Sequence, residues 1–212
     1  MVQTQLETPK TQSAAMQQYY RFQSKIYDLT RWTFLFGRSS ILKHIPYNRI
    51  DPFTLLEIGC GTGHNLQKIA ATFPNAQLIG MDVSDDMISL AGKKLQRFGN
   101  RIRLQNRPYE LRDESKEGKM DIILFSYSLT MINPQWQELL QRAYLDLKPG
   151  GLILVVDFHD SQFPWFKKHM SNHHVRMDSH LLPVLNEFKP GFKKVKKAYG
   201  GVWEYVMFVG AR

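Results

Sequence analysis

The chain has 212 residues, 43% of them hydrophobic, a length and composition that suit one globular domain with a substantial core and are too small for two ordinary ones. Its apolar stretches are broken by charges or glycines well short of a membrane-spanning length, which excludes a transmembrane helix, and the first 13 residues lack the basic start and apolar run of a secretory signal. A formal charge of +9 suits solubility, a nucleic acid or an anionic membrane surface, and the lone Cys60 excludes an internal disulfide and points to a cytoplasmic setting.

Residues 1–13 are polar and rich in Gln and Thr, which predicts a mobile tail. Residues 14–50 follow, with aromatic and basic side chains alternating in MQQYYRFQSKIYDLTRWTFLFG at 16–37, where helical spacing is obeyed only in part. Two readings stand open here. The segment is either a pair of helices capping the core or an interfacial lid, whose aromatics enter a lipid headgroup zone while Arg21, Lys25, Arg31 and Arg38 meet phosphates.

From residue 51 to 212 short strands and helices alternate, up to a break after Phe158. Residues 53–58 read as a buried strand running into LLEIGCGTGHN at 55–65, which holds an acid at Glu57 and glycines at Gly59, Gly61 and Gly63. The glycines let the strand fold sharply back into a helix, whose first free N–H groups suit an anionic group. The spacing is G-x-G-x-G with Asn65 beyond it, which departs from the dinucleotide fingerprint and argues against NAD. Nineteen residues past Gly63, Asp82 ends the apolar run 76–81, where an acid accepts hydrogen bonds from ribose hydroxyls. Glu57 beside the loop suits a ligand with an ammonium group better than a pyrophosphate, so a cationic nucleoside amino acid fits better than a dinucleotide.

The helix after the loop carries Leu66, Ile69, Ala70 and Phe73 and ends at Pro74. Ser84 caps the next helix, with Asp85 and Asp86 in its first turn, and Gly99 closes it. Residues 101–105 and 121–126 read as the third and fourth strands. Asn133 and Pro134 start a helix with Trp136, Leu139, Leu140, Ala143, Tyr144 and Leu147 on one face, and residues 148–151 turn into a fifth strand at 152–157. After Phe158 comes a basic, aromatic and histidine-rich insertion at about 158–190, and strands at 192–198 and 202–209 close the chain across Gly200-Gly201. The alternation predicts an α/β, doubly wound, mostly parallel sheet with ligands at the strand C-termini.

E-x-G-x-G-x-G from Glu57, the acid Asp82 after the second strand and LKPGG at 147–151 before the fifth occur in this order. Over about residues 50–212 the chain thereby resembles class I S-adenosylmethionine (SAM) methyltransferases. The resemblance implies a Rossmann-like sheet of seven strands with an antiparallel C-terminal hairpin, and SAM as cofactor. It also implies that Gly59, Gly61 and Gly63 approach the amino-acid part of SAM with Glu57 close by, that Asp82 takes the ribose hydroxyls, and that Val83 or Met87 packs on adenine. Many relatives have an acid after the third strand, where Asn106 and Arg107 stand here, so the Asn106 amide oxygen is the substitute.

YDLTRWTFLFGR at 27–38 looks like the opening of the N-methyltransferases that complete betaine lipids. That resemblance implies methylation of a membrane lipid's amino headgroup, diacylglyceryl-homoserine to its trimethyl form, by a protein held peripherally on the cytoplasmic face of a membrane. Bacterial phosphatidylethanolamine N-methyltransferases begin in a similar way without the long Arg-Trp continuation, which makes phosphatidylethanolamine the rival acceptor. A non-catalytic SAM-binding membrane protein and a soluble small-molecule or RNA methyltransferase are the readings from other classes.

Methyl transfer from a sulfonium is an in-line displacement that needs alignment, exclusion of water and a neutral amine. Tyr27, Asp28, Tyr127 and His159 are the candidates to take the amine's proton, a histidine after a strand being structural as readily as catalytic. Tyr19, Tyr20 and Trp32, with Tyr27 and Tyr127, furnish either an aromatic cage for the quaternary product or core packing. In the resembled family a segment like VRMDSHLLPVL at 175–185 lies near the acceptor, which implies that Arg176 and His180 bind the lipid's polar groups. His159, His169, His173, His174 and His180 match no zinc spacing, so no metal is expected. The lysines at 189, 193, 194, 196 and 197 are either a solvated strand face or a contact for an anionic surface. The fourth strand ends in Phe125, Ser126, Tyr127 and Ser128, without the Asn/Asp-Pro-Pro-Tyr of base N-methyltransferases, so no nucleic-acid partner is expected.

Overall fold

The computed structural model describes residues 35–109 and 119–212. Tyr19, Tyr20, Tyr27, Asp28 and Trp32, and with them the tail and most of the expected cap, lie outside the described residues. The end of that segment is a short helix α1 (Arg38–Ile41) followed by one 3-10 turn (Leu42–His44), and Ile41 and Ile45 are buried in the core.

Seven strands form one sheet: β1 (Thr54–Ile58), β2 (Gln77–Asp82), β3 (Ile102–Asn106), β4 (Met120–Ser126), β5 (Leu147–Phe158), β6 (Lys189–Ala198) and β7 (Trp203–Ala211), in the order β3-β2-β1-β4-β5-β7-β6. The first five are parallel, and β7 runs antiparallel to both β5 and β6, so the expected mostly parallel sheet with an antiparallel C-terminal hairpin is what forms. Helices α2 (His64–Thr72), α3 (Asp85–Leu95) and α4 (Trp136–Asp146) cross between parallel strands. They cover both faces, which is why the central strands read as nearly continuous apolar runs.

Strand side chains alternate between two core layers. Leu55, Ile122, Leu124, Leu154 and Val156 pack on one face with Leu66, Ile69 and Leu95 of α2 and α3; Leu56, Ile58, Ile123, Phe125 and Val155 pack on the other with Trp136, Leu139, Leu140 and Ala143 of α4. Burying each Leu or Ile is worth about 1.5–3 kcal/mol, and a one-residue slip would turn every strand side chain to the wrong layer.

Several boundaries differ from expectation for identifiable reasons. Helix α4 begins at Trp136 rather than at Asn133, and Tyr144 is 40% exposed, its ring lying 5.3 Å from the Arg212 guanidinium rather than in the core. LKPGG is part of β5 and not a separate turn: the pairing jumps from Met120–Leu147 to Ile122–Leu152, and Gly150, at φ 77°, takes up the extra residues. Helix α3 stops at Leu95 and a 3-10 segment (Gln96–Arg101) carries the chain to Gly99, at φ 60°, before β3. Strand β6 starts at Lys189, because an edge strand can send its lysines to solvent and so hides its alternation.

Residues 158–190 contain α5 (Pro164–Ser171) and α6 (Leu181–Leu185). Phe166, Met170, Val175 and Met177 join the layer of α2 and α3, whereas Leu181 and Leu185 join the layer of α4. The stretch 172–180 therefore passes from one face of the sheet to the other across the C-terminal ends of the strands. It is fastened there by Arg176 N to Thr130 O and by Ser179 N to His159 O, both 2.9 Å. Among the described residues no helix is long and apolar enough to cross a membrane.

Candidate active site

The glycine turn after β1 has Gly59, Gly61 and Gly63 at φ 73°, 52° and 72°, the left-handed region that side chains avoid. Gly59 N and Cys60 N both donate to Met81 O, at 2.8 and 2.9 Å, which folds the turn against the end of β2. Asp82 completes the fastening: Oδ2 accepts from Gly61 N at 2.7 Å and Oδ1 from Ser84 N at 3.0 Å, leaving the half-buried carboxylate at the rim of the turn. Ser84 caps α3 by accepting from Met87 N, as its place before Asp85 and Asp86 predicts.

Beneath the turn, Glu57 is 1% exposed and its Oε1 accepts from Asn65 Nδ2 at 2.7 Å. Asn65 Oδ1 is buried without a hydrogen-bond partner, so the floor of the turn offers both a buried carboxyl group and an unused acceptor. Gly63 precedes α2 and no side chain caps that helix, so its first N–H groups face outward at the same place. One small volume thus presents acceptors for an ammonium group and donors for a carboxylate.

A Cβ built on Gly59 would lie 2.6 Å from Ser128 Cβ. Replacing Gly59 by Ala is expected to cost about 1–3 kcal/mol, from strain at positive φ and from displacement of the loop after β4. Urea unfolding reads this directly, and a loss under 0.5 kcal/mol would show that the loop yields freely.

Of the remaining residues on this side, Val83 is half-buried and Met87 fully buried at the start of α3. Asn106 stands beside Asp82 in the β2–β3 register, and its amide nitrogen donates to Asp85 Oδ1. Arg107 Nε reaches Gln105 Oε1 at 3.4 Å.

The loop after β4 carries the other half. Ser128 Oγ donates to Ile58 O at 2.9 Å, so this loop leans on the glycine turn. Its shape depends on Asp157, which is fully buried at the end of β5 and accepts five bonds, from Ser128 N, Leu129 N, Thr130 N, Thr130 Oγ1 and Phe158 N. Burial still pushes its carboxyl up to about 6 against the opposing effect of those donors. Sequence reading missed Asp157, although an acid closing the apolar run LILVV was the available signal.

Tyr127 was a candidate base, and its position removes it from that role. It is 2% exposed, its hydroxyl donates to Phe36 O at 2.6 Å, and burial, with Asp157 and Tyr205 nearby, raises the phenol well above its ordinary value. A phenol so held stays protonated and anchors the segment before α1.

His159, directly after β5, is half-buried, and its Nδ1 is buried without a hydrogen-bond partner. Burial lowers its pKa against the opposing pull of Glu204 and Asp160, so the ring is neutral near pH 7. Arg176 is exposed and its Nε bonds Asp178 Oδ2 at 2.8 Å, while His180 lies edge-on to Trp136 with ring centroids 4.7 Å apart. The structure therefore groups Glu57, the three glycines, Asp82, Val83 and Asn106 at the ends of β1 to β3, and His159 and His180 over the ends of β4 and β5. Asp178, which lies in the segment 175–185 but was not singled out there, joins the second group.

A family model described as a methyltransferase domain matches residues 56–153. Trans-aconitate 2-methyltransferase of Deinococcus radiodurans is 27% identical over 165 residues, 76% of this chain and 54% of that protein. Carboxy-S-adenosyl-L-methionine synthase of Trichodesmium erythraeum is 32% identical over 126 residues, 57% of this chain and 48% of that protein. The chain thus spans about half the length of these curated relatives. In fold it is similar to 1,6-didemethyltoxoflavin-N1-methyltransferase of Burkholderia thailandensis, solved with S-adenosylhomocysteine, at a TM-score of 0.68 and 18% identity over 100% of this chain and 93% of that one. Strand order, the glycine turn with its acid at the end of β2, and the methyltransferase-domain match over residues 56–153 agree that this chain has the Rossmann-like methyltransferase fold.

Proposed function

We propose that the protein is a SAM-dependent N-methyltransferase acting on the amino headgroup of a membrane lipid, with diacylglyceryl-homoserine as the preferred acceptor and phosphatidylethanolamine as the second. The observation that carries the amine is His159: a neutral imidazole with an unused buried nitrogen at the end of β5, across the Ser128 loop from the glycine turn. A neutral ring there suits a hydrogen bond from an amine, and an ammonium substrate must lose a proton before it can attack.

The residues fit the cofactor. Asp82 would hold the ribose hydroxyls, the α2 N–H groups and glycine backbone the carboxylate, and Glu57 with Asn65 the ammonium end. Val83 and Met87 would flank adenine, with Asn106 and Arg107 at its edge. When bound, SAM supplies an electrophilic methyl group on a sulfonium. The chain's own part is to align the acceptor, exclude water through the 172–180 crossing and receive a proton.

The lipid is supported by the resemblance of residues 27–38 and by an aromatic rim beside the acceptor side. Phe163 and Trp165, with ring centroids 6.2 Å apart, are 41% and 63% exposed just after β5, a few residues from the exposed Lys168, and Tyr199 is 52% exposed between β6 and β7, two residues from the exposed Lys197. Amphipathic rings with basic neighbours suit a peripheral site on an anionic membrane face, which on this reading is the cytoplasmic one.

The test is mass-resolved methyl transfer to mixed micelles holding either lipid. Mono-, di- and trimethyl products from the homoserine lipid alone are expected. Products from phosphatidylethanolamine alone would move the acceptor, and SAM binding without product from either would favour a non-catalytic protein.

A further inference from the structure

His180 is more enclosed than its place in a polar stretch suggests. Its side chain is 6% exposed, Nδ1 lies 2.5 Å from Asp178 Oδ1, and Nε2 is buried without a hydrogen-bond partner. A carboxylate at Nδ1 fixes the ring proton on that nitrogen and leaves Nε2 with a free lone pair. Asp178 is itself held, since its second oxygen accepts from Arg176 Nε at 2.8 Å.

The pair is rigidly sited. Besides the two backbone bonds that fasten 176–179 to Thr130 and His159, Ser179 Oγ donates to Asp160 Oδ2 at 2.9 Å. Thr130 belongs to the loop that Asp157 shapes and Ser128 ties to the glycine turn, so Nε2 is positioned relative to the cofactor side by a chain of hydrogen bonds. The groups that act on the ring are Asp178 and Arg176 from its own stretch and His159 from the end of β5, with the uncharged Trp136 against it from α4. Burial lowers its proton affinity, Asp178 raises it, Arg176 and His159 lower it, and the balance keeps it neutral at pH 7.

We propose that His180 and Asp178 form a proton-accepting pair, in which His180 Nε2 takes the proton that the acceptor's ammonium loses and Asp178 is the positioning residue. The inference rests on the N-methyltransferase reading. In the step the acceptor's N–H bond breaks, its electron pair stays on nitrogen and the proton passes to Nε2. That pair then forms the N–C bond as the C–S bond of the sulfonium breaks with its electrons to sulfur, and the imidazolium returns its proton to water. Two ring nitrogens without hydrogen-bond partners, on His159 and His180, suit an ammonium acceptor.

The test joins nitrogen NMR of the histidines in the full chain with pH profiles of methyl transfer to micellar amino lipid. The free protein is expected to show His180 neutral at pH 7 with its proton on Nδ1; an Nε2–H tautomer or an imidazolium at pH 7 overturns the proposal. H180Q is expected to lose roughly 100-fold or more in kcat with SAM affinity unchanged. D178N is expected to move the acid limb of kcat to lower pH, since the carboxylate that raises the imidazole is gone, and to leave KM unchanged. An active wild type whose D178N acid limb stays put overturns the pair alone. A wild type inert toward every amine overturns the N-methyltransferase reading and this step with it.

Discussion

Asp157→Ala is expected to lower stability by about 3–5 kcal/mol and to disorganise both halves of the site at once. The carboxylate accepts five bonds in a fully buried position, and alanine leaves those donors dry, including three consecutive backbone N–H groups of the loop after β4. Asn should recover part of the loss, since one oxygen still accepts while the amide nitrogen opposes a donor. Urea unfolding at pH 7 measures both variants, and a loss under 1 kcal/mol for the alanine variant would mean that water replaces the carboxylate.

The same residue carries a pH signature. Burial raises its folded pKa to about 6 from an ordinary 3.8, so the folded state binds the proton more tightly than the unfolded chain. Its contribution is then fully present below the unfolded value and is lost as pH rises through about 6, a change of roughly 3 kcal/mol. Stability of the wild type relative to Asp157→Asn should fall between pH 4 and pH 7. A flat difference would place the folded pKa in the ordinary range.

Asp82→Ala is the second large effect, on binding rather than on folding. Its two oxygens fasten Gly61 N and Ser84 N, and in the proposed complex the same carboxylate meets the ribose. Loss of charge-assisted bonds of about 1.5–3 kcal/mol predicts a fall in SAM affinity of roughly 10- to 100-fold. Because the carboxylate lies at a solvated rim, the cost in stability should be smaller, about 1–2 kcal/mol. Calorimetric titration with SAM decides it: an unchanged Kd would contradict the ribose role.

The cofactor side was legible because its signals are local. A strand running into Gly59, Gly61 and Gly63 needs positive φ at fixed spacing, and Asp82 ends its own strand, so each residue announces its place without knowledge of its neighbours. The proposed acceptor side was not, because it is assembled from the loop after β4, the end of β5 and the crossing at 172–180, segments far apart in the chain that are joined by bonds such as Arg176 N–Thr130 O, Ser179 N–His159 O and Ser179 Oγ–Asp160 Oδ2. Tyr127 looked like a base from its position after β4, yet the carbonyl of Phe36 that occupies its hydroxyl lies 91 residues away in the chain. Asp178 is an ordinary polar residue in sequence, and its contact with a His180 ring enclosed against Trp136 gives it a role.

By itself the sequence determined the alternation of strands and helices, the mostly parallel sheet and the glycine turn, because apolar periodicity, helix caps and glycine conformations are properties of neighbouring residues, while the antiparallel end was implied by resemblance. Only the tertiary structure decided which acids and histidines are buried, which nitrogens are left without partners and therefore where a proton can go, because burial and proton affinity depend on elements distant in the chain.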